Sequence, residues 1–232
     1  MILTDWSVIM QNKRTRLQRT SPAPAKPGGR EPSARAKKSA ARREAILVAA
    51  LDEFAARGFT AARLDDVAQR AGVAKGTIYL HFRDKEALFQ ELIRAELSPF
   101  VARLEEAFKI DIPLRAIADH VVEVFIREVY NTRRKDVIRL ILSEGQRFPK
   151  LAEFYYREVL SRVMQAVRGL LRRAVNRGEI AGDAIVRFPQ LFASPIVVVI
   201  LWNALFDRFE PLDARAMLRA HFDLLLGERK TT

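Results

Sequence analysis

From Ser39 onward apolar residues recur every three or four positions, with no sustained alternation of apolar and polar residues. That period belongs to helices rather than strands. Ile46, Leu47, Ala50, Leu51 and Phe54 mark one face of a first helix, predicted over 39–57. Gly58 is its left-handed stop, and Phe59 falls where a chain leaving such a stop packs back on Phe54. Two short helices follow. One, about 64–71, turns Leu64, Val67, Ala68 and Ala71 inward; the other, about 75–82, turns Ile78 and Phe82 inward. Gly72 separates them. Asp84 is a good N-cap for a fourth helix that carries Leu88, Leu92, Ile93 and Leu97 and continues past Pro99 to about Phe108. Further helices are predicted over 113–130, 135–145, 151–177, 183–206 and 213–226, with Gly227 closing the last. The expected fold is all-α.

One stretch is apolar on every side. Nineteen residues between Arg187 and Asp207 carry no charge, near the length that crosses a bilayer. Pro189, Gln190, Ser194, Pro195 and Asn203 interrupt it, and arginines flank both ends without bias. A helix buried inside the domain or at a subunit interface fits better. No membrane partner is expected.

Composition changes the picture at one end only. The chain of 232 residues holds 40 Lys and Arg against 28 Asp and Glu, a net charge of +12. Eleven of the basic residues and only two acids lie in residues 1–43, so a basic arm precedes a nearly balanced body. The arm contains Ser21-Pro22-Ala23-Pro24-Ala25-Lys26-Pro27-Gly28-Gly29, which cannot bury apolar surface; residues 1–38 are expected to be disordered. They read either as a solvated tail, with Met1 or Met10 as the true start, or as an arm lying along a phosphate backbone. No secretory signal fits the first ten residues, and a cytoplasmic location is expected. There is no cysteine, hence no disulfide, thiolate metal site or cysteine nucleophile. His81, His120 and His221 lack metal-motif spacing. No catalytic, metal or cofactor-binding residues are expected: there are no paired carboxylates on one face near a histidine and no glycine-rich phosphate loop.

A longer helix followed by two short ones joined at Ala71-Gly72-Val73 makes a helix-turn-helix pattern. Small Ala68 and Gly72 let the short helices approach, and the second can then project into a major groove about 12 Å wide. Ile78 and Phe82 define its buried face at 100° per residue. Leu80 points away from that face, with Gly76 and Arg83 beside it, and Thr77 and Tyr79 lie on the flanks. Leu80 is either a tolerated exposed residue or an apolar contact for a thymine methyl. Tyr79 suits a phosphate oxygen, though it could also be simply solvated. His81 lies nearer the buried side and could instead orient packing.

The series Ala71-Gly72-Val73, Gly76-Thr77-Ile78-Tyr79, His81-Phe82, Lys85 and Leu88 closely resembles the DNA-binding domain of the tetracycline-repressor (TetR) family. Glu144-Gly145-Gln146-Arg147-Phe148-Pro149 also resembles a segment of one branch of it. The resemblance implies a helix-turn-helix DNA-binding domain over 39–90 and a helical ligand-binding and dimerisation domain over 91–228. It implies a homodimeric transcription regulator, usually a repressor, that binds a pseudo-palindromic operator on double-stranded DNA and is released by a small molecule. Lys75, Gly76, Thr77, Tyr79 and His81 match the family's DNA-facing positions, and Lys85 matches a common phosphate contact. Arg63 departs from the family, which more often has Ser or Thr capping the second helix there; it loses a cap and gains a cation near the DNA.

The remaining chain is aromatic-rich, and some aromatics could line an apolar effector cavity or serve as ordinary core. His120 and Tyr130 are polar candidates for orienting a ligand, or else satisfied core or surface residues. The last two long helices are expected to pair with their twins in a dimer. Pro99 removes the hydrogen bond to the carbonyl of Ala95; it either provides a kink that tilts the DNA head, or begins a fresh helix capped by Ser98. Two other readings remain: an all-helical small-molecule or lipid carrier without specific DNA binding, and a membrane-surface protein using the basic arm, which lacks a lipidation motif.

Overall fold

The computed structural model describes residues 33–227, and every element among them is helical. Helix α1 spans Ala34–Ala61, α2 Leu64–Arg70, α3 Lys75–His81 and α4 Lys85–Ala107. Helix α5 runs Leu114–Phe125 and continues through a wide turn, Ile126–Tyr130, and α6 is Arg134–Glu144. Helix α7 joins Pro149–Tyr155, a second wide turn Tyr156–Leu160, and Ser161–Asn176. Then follow α8 (Ala184–Arg187), α9 (Gln190–Leu205) and α10 (Ala214–Leu226). Among the described residues, 33–39 belong to one unit and 40–227 to another.

Three expectations need correction. Helix α1 begins at Ala34 rather than Ser39. Ala34-Arg35-Ala36-Lys37-Lys38 has no apolar stripe, but alanine, lysine and arginine are strong helix formers. These residues therefore leave the predicted disordered arm; the rest of it lies outside the described residues. The single helix predicted over 183–206 is broken at Phe188, whose backbone is far from helical (φ −118°, ψ 70°). A residue before proline is pushed out of the α region, and Pro189 lacks the N–H to continue the ladder. Lastly, α4 passes through Pro99 as one helix, so Ser98 does not cap a fresh one.

Other signals fall where the pattern puts them. Gly58 is left-handed at φ 74°, and Phe59 returns onto Phe54 with ring centroids 5.3 Å apart. Asp84 caps α4 by accepting from the Ala87 N–H at 2.7 Å. Asp213 caps α10 through the Ala216 N–H at 3.0 Å.

Two apolar clusters fill the protein. The first joins α1, α2, α3 and the front half of α4 to Val137, Leu140 and Ile141 of α6 and to Leu151, Phe154 and Val159 of α7. The second gathers α5, the back of α7, α9 and α10 around Phe125, Leu170, Phe192 and Phe222. The helix-turn-helix thus shares its core with the body beyond residue 91.

Arginines staple the outer helices. Arg162 of α7 grips Glu105 of α4 through two hydrogen bonds, 2.9 and 2.6 Å. Hydrogen bonding from Arg162 holds the Glu105 carboxyl below its ordinary value of 4.5, and Arg215 does the same for Glu123. Burial pushes Glu128 upward, but Arg103 and Arg127 outweigh it and hold its carboxyl low as well. A carboxylate with a lowered folded pKa contributes stability above its unfolded pKa and loses it as pH falls through the folded one. Thermal unfolding midpoints should therefore drop on acidification below about pH 4.5. Glu105→Gln should cost about 1 kcal/mol at neutral pH and flatten that acid limb; an acid limb identical to wild type would show that the pair carries none of it.

Candidate nucleic-acid interface

The interface is set by what α3 must bury. At seven residues it is too short to hold helical structure alone. It is pinned by Ile78, fully buried, and by Phe82 just beyond its end. The turn before it depends on Gly72, left-handed at φ 65°, while the Val73 N–H donates to the Ala68 carbonyl at 3.0 Å. A residue with a Cβ is strained in that conformation. With Ile78 and Phe82 seated, the opposite side of α3 is fixed in space. Leu80 stands 85% exposed and Tyr79 49% exposed. Gly76 is exposed, and Thr77 and His81 are partly buried. The His81 ring lies 6.2 Å from the Phe82 ring.

A carboxylate that the apolar pattern passes over holds α2 in place. Glu53 is 1% exposed, and it pairs with Arg57 at 3.1 Å and with Arg70 of α2 at 3.3 Å. Arg57 also reaches Asp66 of α2 at 3.0 Å. A buried charge persists only when paired, so Glu53 fixes the angle between α1 and α2. The sequence signal was present: Glu53 follows Ile46 and Ala50 at helical spacing.

The predicted cations do not share one situation. Lys75 donates to Asp65 at 2.7 Å, and that hydrogen bond raises its pKa. Its charge is engaged within the protein rather than standing free above the surface. Lys85 turns inward: its ammonium donates to the carbonyls of Thr60 at 2.9 Å and Ala62 at 3.0 Å, and lies 4.8 Å from the centre of the Phe59 ring. Burial pushes its pKa down, opposed by the charge of Glu144. Two of its three N–H groups thus close the end of α1. Arg63 precedes α2 in an extended conformation, caps nothing and is exposed.

The body grips this end of α1 from below. Phe148 meets the Phe59 ring edge-on at 4.7 Å, and the Thr60 hydroxyl donates to Glu144 at 3.5 Å. The segment 144–149 therefore packs against the head. In the body, Phe125 and Tyr130 have ring centroids 6.2 Å apart, and burial lowers the pKa of half-buried His120. A cleft of about 350 Å³ opens between α4 and α7 beside Glu105, Phe108, Lys109, Arg162, Gln165 and Arg173. Its lining is half polar and half apolar, and its charges are engaged: Arg162 by Glu105, Lys109 by Glu106, Arg173 by the Phe108 carbonyl. Phe108 is the one aromatic among its lining residues.

Lys85→Met keeps the stem over Phe59 and removes both carbonyl hydrogen bonds. It should lower the stability of the protein by about 1–3 kcal/mol, measured by chemical denaturation without DNA. Unchanged stability would show that the two carbonyl hydrogen bonds hold nothing in place.

Residues 46–92 match the family described as bacterial regulatory proteins, tetR family, and residues 113–223 match the tetracyclin repressor-like C-terminal domain. BepR, a transcriptional repressor of Brucella suis, is 34% identical over 149 residues, covering 61% of this chain and 69% of BepR. SrpR, a transcriptional regulator of Pseudomonas putida, is 30% identical over 138 residues, covering 60% of this chain and 63% of SrpR. Among solved structures, Bacillus subtilis FadR in complex with stearoyl-CoA superposes with a TM-score of 0.64 at 22% identity, covering 80% of this chain and 98% of FadR. The helix-turn-helix at 46–92, its exposed third helix and the matching helical body together make this chain a member of the TetR family of bacterial regulatory proteins.

Proposed function

We propose that this TetR-family chain is a ligand-responsive, homodimeric DNA-binding regulator, most simply a cytoplasmic repressor released from its operator by a small apolar or aromatic molecule. The observation that carries the reading is the outward side of α3. Tyr79 and Leu80 project, and Gly76 lies bare, on a helix that is otherwise pinned by Ile78 and Phe82. Tyr79 and Arg63 would hold phosphates, with the N–H groups of Lys75 that Asp65 does not use and the remaining N–H of Lys85 beside them. Gly76, Thr77, Leu80 and His81 would face base edges.

Dimerisation draws support from the far end. Leu191, Val197, Val198, Leu205 and Phe206 are exposed on or beside α9; Phe209 is 70% and Leu224 of α10 89% exposed. An apolar surface of this extent marks an interaction site. The effector draws support from the second core, rich in aromatic residues, and from a fold shared with a FadR that holds stearoyl-CoA. No enzymatic step is proposed. Among the described residues no helix is long and apolar enough to cross a membrane.

Sequencing the duplexes retained by purified protein tests this directly. The selected site should be a pseudo-palindrome with half-sites about 34–36 Å apart, bound by a dimer. Selected sites without two-fold character would count against it, and failure to retain any specific duplex would favour a helical carrier. Tyr79→Phe should weaken binding to all sequences about equally; a changed sequence preference would move Tyr79 to base readout.

Residues 1–32 carry six Lys or Arg and two acids. Deleting them should leave the fold intact and reduce non-specific affinity. The salt slope should flatten by about 0.9 for each phosphate that is no longer neutralised. An unchanged slope would show that this segment touches no phosphate.

A further inference from the structure

We infer that Leu80 and Gly76 together form a seat for the C5-methyl group of thymine, so that α3 reads part of its operator through an apolar contact. The inference rests on the DNA-binding reading above and names the base chemistry that this helix recognises. Leu80 is 85% exposed, and among the described large apolar side chains only Leu224 is more so. Gly76 lies one turn earlier on the same outward side. Its backbone is not left-handed, and a Cβ placed on it would meet nothing within 4 Å. Neither conformation nor internal packing calls for glycine there, and glycine loses more backbone freedom on folding than any other residue. Bare backbone at Gly76 is therefore useful only toward something outside the chain. Long side chains on a helix lean toward the preceding turn, which brings the methyl groups of Leu80 toward that bare stretch and makes a shallow apolar shelf.

The charges around the shelf are engaged. Lys75 is held by Asp65 at 2.7 Å, and Arg83 lies 3.1 Å from Asp84. Thr77 and Tyr79 carry hydroxyls on the flanks, so the outermost strip, at Leu80, is where α3 presents carbon to whatever it meets. In the major groove the apolar group on a base edge is the thymine methyl; cytosine, guanine and adenine offer donors and acceptors there.

Uracil separates this contact from every other, because it keeps thymine's pairing and groove acceptor and lacks only the methyl. An operator would first be selected with the full-length protein. Duplexes in which each thymine in turn is replaced by deoxyuridine would then be titrated. At one position in each half-site, the loss of the methyl should weaken binding about four-fold, the equivalent of about 0.8 kcal/mol for one buried methyl-sized group. Replacement in both half-sites should give about fifteen-fold. Leu80→Ala should bind the thymine and uracil duplexes equally well. Gly76→Ala places a methyl group on the shelf; it should be at least as stable as wild type, bind the thymine duplex less tightly and narrow the gap to uracil. Wild-type affinity indifferent to uracil at every position, or discrimination retained in Leu80→Ala, would overturn the thymine seat and leave sequence-specific DNA binding standing. Absence of any sequence-selective duplex binding by wild type would overturn both.

Discussion

Helices of seven residues do not hold themselves together, and both α2 and α3 are that short. Their existence depends on an aromatic wedge supplied by their neighbours. Phe54 and Phe59 of α1 and Phe89 of α4 lie fully buried within 5.3–5.6 Å of one another, and Phe148 adds a fourth ring from the body. Ile78 and Phe82 belong to the same cluster. The direction in which Tyr79 and Leu80 point is set by this wedge rather than by anything within α3. Burial of apolar area is not directional, but close packing of rings against branched side chains is, and the orientation of the DNA-facing side comes from the latter.

Polar contacts then refine what packing fixes. Glu53 ties α2 to α1 through two arginines, and Lys85 ties the start of α4 to the end of α1 through two carbonyls. The bridges from Glu53 to its half-exposed arginines add little attraction of their own. Their value lies in geometry: an unpaired Glu53 would be a buried charge, so the arrangement that pairs it is strongly preferred. Much of the head's positive charge is engaged inside the protein in this way.

The helices and the turn at Gly72 were legible in the sequence, because a period of 3.6 and a glycine stop are local signals. So was the orientation of α3, which follows from Ile78 and Phe82 four residues apart. What the sequence did not disclose was pairing across distance. Lys75 and Asp65 are ten residues apart, and Glu144 and Thr60 are 84 apart; no periodicity announces that these meet. For that reason Lys75 and Lys85 read only as DNA-facing cations, and Glu53 drew no notice. The break at Phe188 was missed because Pro189 counted only as an interruption of a membrane span and not as a helix stop, and the early start of α1 because a helix without an apolar face leaves no stripe to follow.

The shared first core bears on how such a chain can be taken apart. Val137, Leu140, Ile141, Leu151 and Phe154 lie beyond residue 91, yet they pack in the cluster that holds the helix-turn-helix. A fragment ending at residue 90 would expose Phe59 where Phe148 had covered it and would leave the inner side of α4 bare. The head is therefore not a detachable cassette. A chimera that joins it to another helical body needs the donor's segment 144–149 and the facing side of α6 carried across with it, so that the natural unit of exchange is a surface rather than a stretch of sequence.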